Sequence, residues 1–241
     1  MVIKPIKTRI FKEGDDLFSF IASCFKKLPE QSIIAITSKI VALSEKRTAA
    51  ISNAKSKEKL IRAESEFAIP TKYAWLTIKD GMIMASAGID ESNANNKFIL
   101  LPKDSFKTAR LLREKLQQRY SVKQLGILIT DSRTMPFRAG ATGAAIGYAG
   151  FRGIKDYRGA PDIFGRKFKF SRTDIANSLA AAAVFTMGEG NEQQPVAIIE
   201  KAPVEFRDKI YRKELYISIK NDMYRPLFLK LFKSQSWKTR G

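Results

Sequence analysis

No histidine occurs among the 241 residues. That excludes Ser-His-Asp and Cys-His catalysis, imidazole proton transfer and histidine-held metals. Any metal must sit among oxygens, which selects Mg²⁺, Mn²⁺ or Ca²⁺ over zinc. Acid–base work falls to Asp, Glu, Lys or Tyr. The single cysteine, Cys24, leaves no intramolecular disulfide and no thiolate zinc cluster. Leu17, Ile21 and Cys24 recur at helical spacing behind Asp15-Asp16, which can cap a helix start, so the thiol reads as a small core group. No apolar run is long enough to span a bilayer. The opening residues Met1–Pro5 lead straight into structured-looking sequence and lack the features of a signal peptide, so a cytoplasmic location is expected. Gly-Lys-Ser/Thr is also missing, so the glycine-rich run at 138–150 is no P-loop. Close packing of a helix or turn explains it at least as well as phosphate binding.

What is abundant is positive charge: 43 Lys and Arg against 24 Asp and Glu, a formal net charge of +19. The ordinary reading is a lysine-rich solvated surface. A second is an enzyme with polyanionic ligands such as nucleotide triphosphates. A third, minor one is nucleic-acid binding, supported by the basic and aromatic residues Tyr211, Arg212, Lys213, Tyr224, Arg225, Phe228, Lys230 and Trp237. Leu227, Phe228, Leu229, Leu231 and Phe232 point instead to a packed terminal segment or a dimer contact.

The pattern alternates strand-like and helix-like segments. Gly14 to Phe25 is an amphipathic helix, SIIAIT (32–37) a strand, and Ser38-Lys39 a helix or turn start. Asn53 to Ser65 is helix-compatible. Tyr73 to Ile78 and Met82 to Ala85 predict a hairpin turning at Asp80-Gly81. Asp104-Ser105 caps a helix with Phe106, Ala109, Leu112 and Leu116 on its apolar face. LGILIT (125–130) is a strand buried on both faces, with Asp131 just past its end. Ser171 or Thr173 can cap a further helix through Ala180–Ala183 that stops at Met187-Gly188-Glu189-Gly190. Pro195 to Ile199 is a last strand. The order predicts a mixed α/β or α+β fold.

Three acidic spots stand out by position: Asp90 in AGIDESN, Asp131-Ser132 at a strand end, and Glu189 between two glycines. Loops at strand ends can gather distant carboxylates around hard cations, although a loop Asp is usually a turn residue. Asn93 and Ser132 add neutral oxygens. Arg138, Arg158, Arg166 and Arg172 could fork onto carboxylate or phosphate, or serve structural ion pairs.

The segments AGIDESN (87–93), ITDSRTMPFRAG (129–140), AIGYAGFRGIKDYRGAPDIFGR (145–166) and LAAAAVFTMGEG (179–190) together resemble the γ-glutamyl ligase (CofE-like) family, whose best-known member adds glutamate to the precursor of the deazaflavin coenzyme F420. KEGDDL (12–17) and ITSKIV (36–41) fit the same pattern, and the resemblance runs in order over roughly residues 3–200. It implies an α+β, two-lobed chain with mixed sheets in an intertwined homodimer. The ligase domain would be residues 1–200, with 201–241 a basic, aromatic extension. It implies GTP (or ATP) as co-substrate, Mg²⁺ or Mn²⁺, and K⁺ as a monovalent cation. Carried over residue by residue, Asp90, Asp131, Ser132 and Glu189 match metal ligands. Ser38, Asn93, Met187, Gly188, Gly190 and Asn191 match nucleotide contacts. Asp90, Asp131 and Arg138 would be the catalytic set, and Arg158, Arg166 and Arg172 candidate holders of the acceptor or glutamate carboxylate. The reaction implied is an acid–amino-acid ligation through an acyl phosphate, with no membrane partner. Leu43 and Thr8-Arg9-Ile10-Phe11 depart from family nucleotide contacts, which bears on the guanine preference. The run Asp131-Ser132-Arg133-Thr134-Met135-Pro136 departs from the deazaflavin pattern Asp-Thr-x-Gly-Arg-Pro and resembles a branch linked to folates. A folate acceptor is therefore the first expectation and the F420 precursor the alternative.

Overall fold

The two apolar hexads lie side by side. In this computed structural model, which describes residues 1–51 and 54–233, a mixed sheet runs in the order β1 (Val2–Ile6), β12 (Val196–Glu200), β2 (Ser32–Thr37), β8 (Leu125–Thr134), β9 (Ala141–Ala149). β2 and β8 are parallel and every other pairing is antiparallel. Ile33 to Ile36 and Ile127 to Ile129 are fully buried, as near-continuous apolar runs require when helices cover both faces of a sheet. β1 is an edge strand and tolerates Pro5.

Helix α5 (Ile175–Met187) covers one face, where Ile33, Ala35, Leu128, Ala145, Tyr148, Ala197 and Ile199 share a core with Leu179, Ala180 and Ala183. Helix α4 (Ser105–Tyr120) packs on β8 and β9, and with α1 (Leu17–Ser23) and α2 (Ser38–Ser44). The register between β8 and β9 slips between Ile129 and Thr130, so that Gly147 pairs with Ile129 but Ala145 with Thr130. Ile146 is thus an extra residue in β9, a bulge that resets which side chains face which way. It allows Tyr148 and Ala145, three positions apart, to share the α5 core. It also turns Gly143 toward α5 and Gly147 toward α4. A Cβ would lie 2.3 Å from Ala180 O at Gly143 and 2.5 Å from Ser105 at Gly147. The glycine-rich run is therefore a strand packed tightly under two helices, which is the close-packing explanation.

The chain divides into two compact units, residues 1–47 with 102–215, and residues 48–101 with the chain from 216 on. The first contains the mixed sheet and also β10 (Ile154–Asp156) and β11 (Arg172–Asp174), a two-stranded arm. In the second, β3 (Thr48–Ala50) pairs with β7 (Lys97–Ile99), and β4 (Phe67–Pro70), β5 (Trp75–Lys79) and β6 (Met82–Ala85) form a meander. Its core joins Ile61 of α3 (Ala54–Glu64) to Ala68, Ala87, Ile89, Phe98 and Leu100. Asp80 and Gly81 both adopt positive φ between Lys79 and Met82, the two-residue turn that Asp-Gly predicts. Helix α6 (Arg225–Lys233) belongs to this unit. Residues 234–241, including Trp237 of the basic tail, lie outside the described residues, as do Ser52 and Asn53.

The mixed α+β architecture agrees with the sequence reading, and three local expectations are revised. α1 starts at Leu17, because Asp16 is its cap and accepts from Ser19 N at 2.7 Å. α5 is capped by Asp174, which accepts from Asn177 N at 2.9 Å, and not by Ser171 or Thr173; Thr173 lies in β11. β8 continues four residues beyond Thr130, because its polar end still pairs with β9. Cys24 is half-buried, donates to Phe20 O at 3.4 Å and has its thiol pKa raised by burial, as a core thiol would. Among the described residues no helix is long and apolar enough to cross a membrane.

Candidate active site

Because β8 runs on past Thr130, its pleat decides where each polar side chain goes. Ile127, Ile129, Asp131 and Arg133 share one direction; Leu128, Thr130 and Ser132 share the other. The first direction leads to α2. Ser38, buried at the first turn of α2, donates from Oγ to Asp131 Oδ1 at 3.1 Å. β2 ends directly into α2, and Thr37 pairs with Thr130, which fixes Ser38 one step from Asp131. The second direction leads to the end of α5, where Ser132 Oγ donates to Glu189 Oε1 at 2.6 Å. The four groups thus form two hydrogen-bonded pairs on the two sides of one strand end.

Glu189 follows Gly188, which ends α5 with φ +85° and donates to Val184 O at 2.9 Å. Glu192 folds back, accepting from Gly190 N at 2.8 Å. Its carboxylate fills the space beside Gly188, where a Cβ would come within 2.3 Å of Glu192 Cδ. Gln193 O accepts from Thr8 N at 3.0 Å, so the Thr8–Phe11 stretch is tied to the 187–194 loop. Met187 buries its side chain in the α5 core, leaving the exposed Gly188, Gly190 and Asn191 to present the loop.

Arg133 lies beside Asp131, with Nη2 3.8 Å from Asp131 Oδ2 and only 9% of its side chain exposed. Sequence reading assigned it no role. No sequence signal pointed to it: Asp131 to Thr134 are all polar, and the alternation, half-buried at 131 and 133 and exposed at 132 and 134, is visible only in the fold.

Asp90 and Asn93 lie in the second unit. Asp90 exchanges backbone hydrogen bonds with Ile99, both at 2.9 Å, and its carboxylate accepts from Ser92 N at 2.7 Å and Ser92 Oγ at 3.0 Å. This is the self-capping turn common for a loop aspartate. Asn93, Asn95 and Asn96 take positive φ, conformations that asparagine tolerates.

The candidate arginines are spread over the surface of the first unit. Arg138 sits exposed in the β8–β9 turn, its N–H donating to Met135 O at 3.2 Å. Arg158 closes on Asp156, with Nε 2.9 and 3.0 Å from the two oxygens and Nη2 2.5 Å from Oδ2. The Arg158 hydrogen bonds hold the pKa of the Asp156 carboxyl down at about 2. Arg158 is thus engaged in a local ion pair. Arg166 and Arg172 are exposed on or near the β10–β11 arm, whose tip also exposes Ile163, Phe164 and Phe170.

A metal held here would meet only oxygens. Among the described residues no three acidic or cysteine side chains form a metal-holding group. Mg²⁺ commonly takes one or two carboxylates and completes its shell with phosphate and water. Ser132 and Glu189, in contact on one side of the strand end, fit that pattern with one carboxylate, and Asp131, beside Ser38 on the other side, offers another single carboxylate.

The model of the F420-0:Gamma-glutamyl ligase family matches residues 5–79 and 59–201. Coenzyme F420:L-glutamate ligase of Methanococcus maripaludis (strain C7) is 40% identical over 147 residues, covering 61% of this chain and 58% of the relative. The same-named protein of Methanopyrus kandleri is 32% identical over 213 residues, covering 80% of this chain and 83% of the relative. The chain thus matches a little over half the length of the first of these relatives and most of the second. By the extent of the family match, the chain belongs to the F420-0:γ-glutamyl ligase family.

Proposed function

We propose that this protein uses a nucleotide and a divalent cation to join the amino group of L-glutamate to a carboxylate of an F420-type deazaflavin acceptor. The relatives' names support the deazaflavin acceptor over the folate of the first expectation. A folate keeps the second place on one observation, the run Asp131–Pro136, which departs from the deazaflavin pattern. The single observation that carries the reading is the Ser132–Glu189 contact. It brings together two residues 57 positions apart, both matched to metal ligands by the resemblance.

The acceptor carboxylate takes the γ-phosphoryl group of GTP or ATP and becomes an acyl phosphate. The glutamate amine then attacks the acyl carbon, phosphate leaves, and the nitrogen loses a proton as the amide forms. Such chemistry asks the protein mainly for positioning and charge neutralisation. Asp131 on one side of the strand end, and Ser132 with Glu189 on the other, would hold Mg²⁺ or Mn²⁺, which supplies positive charge to the phosphates when bound. Ser38 orients the Asp131 carboxylate. The loop at 188–191 offers a surface with little side-chain bulk for the nucleotide. Asp90 and Asn93 keep the metal and nucleotide roles that the resemblance gives them, and Arg138, exposed in its turn, suits a substrate carboxylate. Residues 1–200 are taken as the ligase domain, in keeping with the family match ending at 201. The exposed Ile163, Phe164 and Phe170 support a homodimer.

The test offers L-glutamate, Mg²⁺ or Mn²⁺, and GTP or ATP to the purified protein. Deazaflavin precursor and reduced folate are supplied in parallel, and products are read by mass spectrometry. A glutamyl unit gained on the deazaflavin is the expected result; a gain on the folate alone would reverse the order of the two acceptors. Asp131→Asn should lower turnover by on the order of 10²-fold or more, because fixed charge is the main catalytic contribution. Full turnover in that variant at saturating metal would remove Asp131 from the mechanism.

A further inference from the structure

A permanently charged guanidinium beside a carboxylate that is meant to hold a cation is a conflict, and Arg133 creates one. It shares the Asp131 side of β8, two residues on, with its Nη2 3.8 Å from Asp131 Oδ2. Its side chain is 9% exposed and that of Asp131 20%, so water screens the pair poorly. An arginine does not lose its proton in such a place. The contact is also looser than the arginine pairs elsewhere in the same unit. Arg113 lies 2.8 Å from Asp208 and Arg207 2.6 Å from Glu214, both at hydrogen-bonding distance. Arg133 is therefore close enough to Asp131 to neutralise its charge, yet not locked to it in the way that gives a fixed fork.

We propose that Arg133 is the built-in counter-cation of Asp131 and sets how tightly the site takes a divalent ion. This inference rests on the ligase reading above, in which Asp131 is a metal ligand. With no divalent ion held, the guanidinium offsets the carboxylate's charge. When an ion arrives it must share Asp131 with a fixed positive charge, which lowers its affinity for the bare protein. Incoming phosphate oxygens relieve this repulsion, because they are anionic and can accept from the same guanidinium. The residue thereby couples metal uptake to nucleotide binding, so that the ion is held firmly only together with the polyphosphate. Arg133 acts through Asp131 and is a positioning residue for the metal.

The experiment measures Mn²⁺ binding to the full chain by calorimetry, with and without a non-hydrolysable nucleotide. The proteins are the wild type, Arg133→Gln, Arg133→Lys and Asp131→Asn. Arg133→Gln should bind Mn²⁺ roughly ten-fold more tightly than wild type without nucleotide, because a unit charge close to the ion has been removed. The enhancement of Mn²⁺ affinity by nucleotide should shrink correspondingly. Arg133→Lys keeps the charge and should stay within about two-fold of wild type. A merely structural arginine would give unchanged or weaker Mn²⁺ binding in Arg133→Gln, and that result overturns the proposal. If Arg133→Gln does not fold, thermal melting of Asp131→Asn against Asp131→Asn/Arg133→Gln decides. Removing the guanidinium should cost less in the Asp131→Asn background than in the wild type, since the charge it offsets is already gone; a double variant that also fails to fold overturns the counter-cation role. Failure of the underlying reading looks different: wild type then binds no Mn²⁺, or binds it with an affinity that Asp131→Asn does not change.

Discussion

Gly143 and Gly147 show how a single absent methyl group can decide a packing distance. Both sit in extended backbone on β9, so neither is needed for its conformational freedom. Each is needed because a helix backbone or the first residue of a helix presses on the strand at that point. Gly143→Ala should cost about 2–3 kcal/mol in urea unfolding, the upper part of the range for overpacking, because its new Cβ meets the carbonyl of Ala180 and not a movable side-chain tip. Gly140→Ala, in the neighbouring turn at φ +92° with open space around it, should cost about 1 kcal/mol from backbone strain alone. Equal losses at the two positions would contradict the packing account. At this scale the sequence was legible where a residue acts on its near neighbours. Asp16 and Asp104 cap helices three residues away, and Asp80-Gly81 turns a hairpin. It was not legible where the partner is distant, as for Ser38 with Asp131, 93 positions apart, and for Arg133, whose strand looked finished once the apolar run ended.

The elements of the first unit are tied down by a strap that follows β12. Residues 202–215 have no regular secondary structure of any length, yet Val204, Phe206, Ile210 and Leu215 pack against the α5 core. Glu214 is the clasp. Its Oε1 accepts from Tyr148 OH at 2.6 Å and from Gly153 N at 2.7 Å, while Oε2 accepts from Arg207 Nη2 at 2.6 Å. Gly153 O in turn accepts from Ile175 N and Ala176 N at the start of α5. One carboxylate thus joins β9, the base of the β10–β11 arm and the strap. Glu214→Ala should destabilise the fold by about 3 kcal/mol in chemical denaturation, since it strands a buried hydroxyl and a partly buried guanidinium. The Tyr148 hydroxyl should also report on this clasp. Burial, then its hydrogen bond to Glu214, raise its pKa well above the ordinary 10.0. A group whose folded pKa is raised adds stability below its unfolded value and loses it as pH rises beyond that value. Thermal melts should therefore fall with pH above about 10 more steeply in wild type than in Tyr148→Phe; parallel curves would show that Tyr148 ionises freely in the fold. The helices and most strands were readable from periodicity, but the strap was not. Its order comes from partners earlier in the chain, in the α5 core and, for Glu214, at Tyr148 and Gly153, and nothing in its own pattern repeats.

For the molecule as a whole, the alternation of strands and helices was enough to predict an α+β fold, because both covered apolar strands and both long helices announce themselves. Where the chain passes from one unit to the other was not readable. The chain passes between them at Arg47–Thr48, Leu101–Pro102 and Leu215–Tyr216, and no glycine- or serine-rich stretch marks any of the three as a linker. The excess of positive charge likewise has no single address in the sequence.

The order of strands in the main sheet also sets a schedule. β1 finds its partner only in β12, so Val2 waits for Glu200, and β2 waits for both β12 and β8 before its two edges are closed. A ribosome making about 5–20 residues per second must therefore work for on the order of ten seconds or more between the first strand and the one that completes it. Once made, SIIAIT, among the most apolar stretches of the chain, waits without β8 for part of that interval and without β12 until its end. Birth, for this protein, includes a period in which its future centre is exposed, and its yield in a cell should depend on how well that period is guarded.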